Sequence, residues 1–232
     1  MSRKIKQENP GNAVLLPIAF ILFAVPMLVY MKLVNLKSIE SDNWIGEKTY
    51  TDFFNYYKSQ WFIIAAILAA VIFIGYMMVK SLKIEKRFVY IPLGAYAVSI
   101  IFSTIFSEYR DVALSGFVAR YEGMYILLCY LAVLIIVMNL VRSEKQVQFL
   151  INALLISALI IGIIGLFQFF KLDLFRSDFG KRLILPKAYH DKIGSVNFKF
   201  EETFIYTTLT NPNYVGSYMV MLIPIAITAF IY

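Results

Sequence analysis

The chain has 232 residues, of which 60% are hydrophobic and only 16% are charged, and its formal net charge is +7. A soluble domain of this size has too small an interior to bury that much apolar surface, which excludes the soluble globular classes. The positive charge does not indicate a nucleic-acid partner, because no recognisable nucleic-acid-binding motif accompanies the basic residues. A membrane protein is therefore predicted.

Long apolar runs divide the chain into candidate membrane spans. Each run has 18 to 24 residues, enough for a helix to cross a hydrocarbon core of about 30 Å. The runs are continuous rather than alternating, which favours helices over a barrel. We therefore predict an all-α fold, a polytopic transmembrane helix bundle with about six spans. These are residues 13–31, 61–79, 88–106, 124–141, 147–170 and 214–232.

The distribution of Lys and Arg predicts the orientation. Basic residues accumulate before the first run and in the short connections after the second and fourth runs, which is typical of cytoplasmic segments. The N-terminus is then cytoplasmic, and the long loops 32–60, 107–123 and 171–213 are extracytoplasmic. We divide the chain into a two-span segment, 1–87, and a second membrane region, 88–232. Functional residues are expected in the long loops.

The first and third long loops offer no clear catalytic pattern. Loop 32–60 is rich in Tyr, Phe and Trp, which favours an amphipathic stretch lying on the membrane surface. Alternation over residues 196–200 predicts a short strand or hairpin. His190 stands beside Asp191 and is interpreted as an exposed loop histidine. One His and scattered acids have no recognisable metal-ligand spacing, so no metal site is predicted.

Loop 107–123 contains two arginines ten residues apart, Arg110 and Arg120. The planar guanidinium group binds phosphate through two parallel hydrogen bonds, so a lipid-diphosphate headgroup suits this loop. The alternative is a solvated network of ion pairs with the neighbouring acids, Glu108, Asp111 and Glu122.

The last polar stretch, Thr208-Leu-Thr-Asn-Pro-Asn213, precedes the sixth apolar run. Asn211 before Pro212 is typical of a helix N-cap. Asn211, Asn213 and the backbone N–H groups of this helix start are also suited to bind an anion or a sugar hydroxyl. Near the end of the fifth run, Gln168 is a candidate for substrate contact or for an interhelical hydrogen bond. The small residues Gly162 and Gly165 predict close approach of another helix.

Three motifs in this order resemble the O-antigen ligase and polysaccharide polymerase family of bacterial membrane proteins. They are Ser-x-x-Arg…Gly…Arg-x-x-Gly at residues 107–123, Gly-Leu-Phe-Gln at 165–168 and Thr-Leu-Thr-Asn-Pro-Asn-Tyr-x-Gly at 208–216. Family members usually carry Gly-Thr just before Asn-Pro-Asn, where this chain has Thr207 and Thr208. The resemblance covers residues 88–232.

The resemblance implies a membrane glycosyltransferase of surface polysaccharide biosynthesis. Such a protein transfers or polymerises glycan from an undecaprenyl-diphosphate carrier on the outer face of the bacterial cytoplasmic membrane, without metal or cofactor. Its partners are the lipid-linked oligosaccharide, the acceptor glycan or lipid, and membrane lipids. The resemblance implies that Arg110 and Arg120 bind the diphosphate, beside Asn211, Asn213 and Gln168. It identifies no catalytic base.

Family members have about twice this many spans, so we expect the chain to be an N-terminal portion of a longer enzyme. Two alternatives are a transporter or flippase-like protein and a non-catalytic membrane scaffold. The six predicted spans contain no ionisable acidic or basic residue, whereas ion-coupled carriers commonly keep such groups within the membrane.

Overall fold

The computed structural model describes residues 11–36, 39–43, 47–80, 84, 87–195 and 204–231. The chain is 73% helix and 4% strand, so the prediction of a mainly helical protein is confirmed. The described α-helices are α1 (Leu16–Phe23), α2 (Ile39–Asn43), α3 (Tyr56–Lys80), α4 (Tyr90–Ile105), α5 (Arg110–Ser115), α6 (Met124–Leu140), α7 (Glu144–Phe169), α8 (Asp178–Ile184) and α9 (Pro212–Ile231). Short 3₁₀ helices cover Asn12–Leu15, Val25–Met27, Leu174–Arg176 and Lys187–Ser195.

Within the described residues, three helices are long and apolar enough to cross a membrane. They are Tyr56–Val79, Glu144–Phe169 and Pro212–Ile231. The other three predicted spans coincide with shorter apolar helical segments, Asn12–Met27, Tyr90–Ile105 and Met124–Leu140. The chain is therefore a membrane protein by helix length and composition, while the number of six spans and their orientation stay predictions.

Helices from both halves of the chain share one apolar core. α3 packs against α6, and α1 packs against α7. This contact places residues of the segment 1–87 against residues of the segment 88–232 in a single cluster. Its buried members are Leu15, Ile18, Ala19, Ala69, Phe73, Ile136, Leu140 and Leu150.

The loop 32–60 folds as a hairpin rather than as one amphipathic stretch. Strand β1 (Lys32–Asn35) pairs antiparallel with β2 (Thr49–Asp52), and Lys32 lies opposite Asp52. The buried carboxylate of Asp52 then accepts the N–H groups of Phe54, Asn55 and Tyr56 at 2.7–3.2 Å. These bonds satisfy donors at the start of α3, where the helix has no carbonyl to offer them. The strand predicted over 196–200 lies outside the described residues.

The three long connections meet at one end of the helix bundle. We call their described residues 28–56, 107–123, 170–195 and 204–211 the polar cap. The backbone N–H of Met31 donates to the Ile184 carbonyl at 2.7 Å, which joins the first connection to the third. A buried cluster lies beneath this junction, formed by Met31, Phe175, Ile184, Leu185, Ile193 and Tyr206. The polar cap therefore has an apolar core of its own.

Candidate functional site

Two glycines close residues 116–123 into a ring. A Cβ atom on Gly123 would lie 2.2 Å from the Gly116 nitrogen, and one on Gly116 would lie 2.3 Å from the Glu122 nitrogen. Gly116 also has φ +84°, a region that L side chains rarely adopt. Backbone thus contacts backbone at the closure. The glycines of the arginine motif are explained by this contact, which no residue with a side chain permits.

The ring carries strained residues and is fastened to the first connection. Ala119 has φ +71° and Tyr121 has φ +58°, so two non-glycine residues occupy a costly conformation. The buried Glu40 carboxylate accepts the Val118 N–H at 2.6 Å. The Asn55 side-chain amide donates to the Ala119 carbonyl. These contacts from α2 and the start of α3 hold the ring in place.

The second and third motifs are joined by the side chain of Gln168. This side chain is buried, with 2% of its surface exposed. Its Oε1 accepts the N–H groups of Tyr206 at 3.1 Å and Thr207 at 2.7 Å, and its Nε2 donates to Asp173 Oδ1 at 3.3 Å. Gln168 therefore fixes the backbone that leads into Thr208–Asn213. The interhelical bond considered from the sequence is replaced by a bond from helix to loop.

Gly165 explains why a small residue precedes Gln168 by one helical turn. A Cβ atom there would lie 3.1 Å from Thr207 Cγ2 and 3.3 Å from Ile205 Cγ2, whereas at Gly162 it would meet nothing within 4 Å. The close approach predicted for the glycine pair thus occurs at Gly165 alone, and the partner there is a loop rather than another helix.

The turn before α9 is strained at two threonines. Thr207 has φ +48° and Thr210 has φ +80°, and a β-branched residue in this region is an outlier. Such strain persists where the surrounding contacts determine the backbone, often at functional sites.

The same turn is tied to the first connection. Thr208 Oγ1 donates to the Pro26 carbonyl at 2.9 Å, and Thr210 Oγ1 donates to Asn55 Oδ1 at 3.0 Å. The ammonium group of Lys58, in the first turn of α3, donates to the Thr208 carbonyl. Asn55 thereby bonds both the ring and the turn. All three sequence motifs belong to one connected set of contacts.

A polar pocket of about 270 Å³ lies where these segments meet. Its lining comes from the 3₁₀ helix Val25–Met27, the start of α3, the ring, α6 and α9: Val25, Asn55, Lys58, Ser59, Phe62, Ala119, Arg120, Tyr121, Glu122, Ile126, Tyr130 and Tyr214. Its volume is slightly below the range of roughly 300–1,000 Å³ typical of small-molecule sites. A headgroup fits such a space better than a whole oligosaccharide.

The two predicted arginines are placed differently. Both are exposed, but Arg120 lines the polar pocket, whereas Arg110, at the start of α5, does not line it. Among the described residues, which include Glu108, Asp111 and Glu122, neither arginine forms an ion pair. The solvated ion-pair network considered from the sequence is therefore not formed there.

The remaining predicted residues have distinct positions. Asn211 Oδ1 accepts the Tyr214 N–H at 3.1 Å, which confirms the predicted N-cap of α9. Asn213 is exposed in the first turn of the same helix. His190 is half-buried, and its Nε2 donates to the Leu185 carbonyl at 3.1 Å, so it serves the local fold of the third connection. The substrate-binding roles of Asn211, Asn213 and Gln168 stay predictions.

Sequence reasoning missed three residues of the pocket: Asn55, Lys58 and Tyr121. Lys58 lies three residues before the predicted second span, within a run of aromatic residues that was interpreted as interfacial. The helix begins at Tyr56 instead, which brings this cation into α3. A signal was present, since Asp52 stands where a cap for an earlier helix start is needed, but no motif marked Lys58.

Two buried tyrosines in the polar cap are held in their neutral form. Burial raises the pKa of Tyr121 well above its ordinary value, and the nearby carboxylate of Asp52 adds to that effect. Burial likewise raises the pKa of Tyr206, whose hydroxyl also donates to Asp173. Both hydroxyls are therefore hydrogen-bond donors at neutral pH.

Within the described part of the chain, no group of three or more His, Cys, Asp or Glu side chains is placed to hold a metal ion. No protein-family model, curated protein or solved structure matches the chain. The functional argument therefore depends on the site itself.

Proposed function

We propose that this chain acts as a membrane glycosyltransferase-type protein of surface polysaccharide biosynthesis. In this proposal it binds an undecaprenyl-diphosphate-linked glycan at the outer face of the bacterial cytoplasmic membrane, and the glycan passes to an acceptor sugar or lipid. The polar pocket holds the carrier diphosphate beside Arg120.

One observation carries the proposal: three motifs far apart in sequence are physically connected around this pocket. The ring at 116–123 supplies Arg120 to its wall. The Gly165–Gln168 motif holds Thr207, and the following turn bonds Lys58 and Asn55, which also line the pocket. Unrelated structural motifs have no need to share one set of contacts, whereas a substrate site does.

The chemistry of this reaction suits a guanidinium group. When the sugar leaves its carrier, negative charge grows on the lipid diphosphate, and a fixed cation in a partly enclosed site stabilises it. An arginine is well suited to this task because its planar guanidinium presents a fork of N–H donors that matches phosphate oxygens. The acceptor hydroxyl also needs a general base, for which the pocket presents no assigned candidate.

The test is Arg120→Glu in the chromosomal gene, with the length and attachment of surface polysaccharide as the measurement. Charge reversal places a carboxylate against the diphosphate, so we expect loss of the polymer. Arg182→Glu is the matched control, because Arg182 is an exposed arginine of α8 outside the pocket. Bacteria with the Arg182→Glu variant should make normal polysaccharide when the variant protein is present at the same level as the Arg120→Glu protein.

Arg110→Glu distinguishes the pocket from the wider loop. Since Arg110 does not line the pocket, its reversal should reduce polymer less than reversal of Arg120. Normal polysaccharide in the Arg120→Glu strain would overturn the proposed function. Loss of polymer with Arg110→Glu alone would move the diphosphate out of the pocket and contradict the assignment of Arg120.

A further inference from the structure

We propose that Lys58 and Tyr121 join Arg120 to form a three-donor cradle for a phosphate or diphosphate group. The inference deepens the proposed function, on which it rests for the source of the anion. It assigns two ligand-binding residues, of which Lys58 lies outside all three motifs and Tyr121 is an unspecified position of the first motif. Lys58 comes from the first turn of α3, and Tyr121 comes from the strained ring.

Lys58 has hydrogen-bonding capacity left for a ligand. Its ammonium group carries three N–H donors, and among the described residues it donates only to the Thr208 carbonyl. The Lys58 side chain lines the pocket together with Arg120. Two basic side chains from separate elements thus present N–H donors to one small space, an arrangement suited to the acceptor oxygens of an anion.

Tyr121 supplies a buried hydroxyl without a partner. Only 8% of its surface is exposed, and within the described residues its hydroxyl has no hydrogen-bond partner. A buried polar group left in this state costs free energy, so it calls for an explanation. The aromatic side chain of Tyr121 packs edge-on against that of Tyr56, with 5.7 Å between the ring centroids, which fixes it at the pocket wall. A bound anion would accept a hydrogen bond from the Tyr121 hydroxyl.

The backbone of the ring supports this interpretation. Tyr121 adopts φ +58°, and the contact between Gly116 and Gly123 maintains that conformation. The strain places Tyr121 and Arg120 side by side in the pocket wall, and an observed strain of this kind points to function. A relaxed loop has no reason to bury a tyrosine hydroxyl without a partner.

The charges of the lining favour an anion. The lining itself contains Lys58, Arg120 and one carboxylate, that of Glu122, and both Arg120 and Glu122 are exposed. The carboxylate of Asp52 lies near Lys58 and Tyr121 without lining the pocket, and it already accepts three backbone N–H groups at the start of α3. A lining with one carboxylate beside two basic side chains is not a metal-binding set. A phosphate or diphosphate offers the acceptor oxygens that three donors require.

The experiment measures direct binding to the full chain in nanodiscs. The probes are inorganic phosphate, inorganic pyrophosphate and farnesyl diphosphate, titrated by calorimetry. Pyrophosphate should bind to the unchanged protein, and farnesyl diphosphate should bind more tightly if the natural ligand is a lipid headgroup. Equal binding of both diphosphates would assign the site to a free anion, which still supports the cradle.

Lys58→Met should weaken pyrophosphate binding roughly tenfold or more, the effect of removing a charged hydrogen bond. Lys58→Arg should restore most of it, and Tyr121→Phe should weaken it several-fold. The matched control is Lys181→Met, because Lys181 also donates to a backbone carbonyl, that of Ile193 at 3.3 Å, but lies outside the pocket. Thermal unfolding of each variant shows whether it is folded. Tyr121→Phe tests the cradle while leaving the bond from Lys58 to the Thr208 carbonyl in place.

Three outcomes would overturn the inference: no diphosphate binding by the unchanged protein, equal weakening by Lys58→Met and Lys181→Met, or full binding by the folded Tyr121→Phe variant. The polysaccharide test separates this inference from the proposed function. Weakened binding in these variants together with normal polymer in the Arg120→Glu strain would keep the cradle and reject the proposed function. Full diphosphate binding in these variants together with loss of polymer in the Arg120→Glu strain would keep the proposed function and reject the roles of Lys58 and Tyr121.

Discussion

The polar pocket differs from a second concavity, an apolar groove of about 850 Å³ between α1, α3 and α7. Both are lined by α3, the pocket by Lys58 and Phe62, the groove by Trp61 and Leu68. The pocket is bounded by directional hydrogen bonds and strained backbone. The groove is bounded almost entirely by apolar side chains, with Asn152 an exception.

The difference shows how the two parts of the molecule obtain their shape. In the membrane-spanning part, most contacts are non-directional, with the bond from Asn139 of α6 to the Tyr90 hydroxyl of α4 an exception, and one apolar side chain can replace another of similar size. In the polar cap, individual bonds over long sequence separations determine the backbone. Changes in the polar cap should therefore have larger and more local effects than matched changes on the helices.

The largest effect is expected for Gly123→Ala. Its Cβ atom would lie 2.2 Å from the Gly116 nitrogen, so the ring must open, at a cost of about 3 kcal/mol or more. The control is Gly94→Ala in α4, where a Cβ atom meets nothing within 4 Å and alanine favours a helix. Thermal unfolding in detergent measures both. An equal midpoint for the two variants would contradict the closed ring.

Gln168→Leu should come next. It leaves the N–H groups of Tyr206 and Thr207 buried without an acceptor, and each such group costs about 1–3 kcal/mol. The control is Asn152→Leu on the same helix, since Asn152 is exposed. Hydrogen exchange of residues 204–211 is the measurement, and we expect protection to fall only with Gln168→Leu. Unchanged protection there would show that Gln168 does not hold the turn.

Tyr206→Phe should lower the free energy of unfolding by a smaller amount, and that amount should depend on pH. The folded-state pKa of Tyr206 lies above its ordinary value of 10.0. The neutral hydroxyl therefore contributes its full share to the free energy of unfolding below about pH 10, and this share is lost as the pH rises from there towards the folded-state pKa. The variant loses the bond to Asp173 and should be less stable than the unchanged protein at neutral pH.

The measurement for this variant is the unfolding free energy from about pH 8 to about pH 11, a range that brackets tyrosine ionisation. Because the variant has no hydroxyl at this position to ionise, the difference from the unchanged protein should shrink as pH rises. A difference that stays constant over the range would show that Tyr206 is not held neutral by the fold.

The smallest expected effect on stability is that of Asn211→Ala, and it distinguishes Asn211 from Asn213. Asn211→Ala removes the N-cap of α9 and should cost about 1 kcal/mol. Asn213 is exposed, and the structure shows no bond of its side chain to another described residue. Asn213→Ala should therefore leave the unfolding midpoint unchanged. Polysaccharide lost in that variant would then report a role in binding, whereas a lowered midpoint would contradict its exposed placement.

The helical class and the start of α9 were predictable from the sequence because they depend on local patterns. Apolar runs give the helices, and Asn211-Pro212 gives the start of α9. The start of α3 was predicted five residues late, since residues 56–60 are polar and aromatic and their helical state depends on Asp52 in the hairpin.

The pocket could be predicted only in part. Arg120 was found because its residue type suggests phosphate binding, but nothing in the spacing separates it from Arg110. That separation depends on the ring, which is fixed by the contact between Gly116 and Gly123 and by the bond from the Val118 N–H to Glu40. Lys58 and Tyr121 are marked by burial and by neighbours remote in sequence, and neither property can be read from a local pattern.

The closed ring at 116–123 also bears on the order of folding. The ends of the ring are joined across only seven peptide links. The bond from Thr207 to Gln168 spans 39 positions, and the bond from Lys58 to Thr208 spans 150. Closing the ring therefore costs less chain entropy than forming either of these bonds. We expect the ring to form early, during insertion of the chain, and to offer Glu40 and Asn55 a preformed surface. The wall that carries Arg120 would then be in place before α9 arrives to complete the pocket.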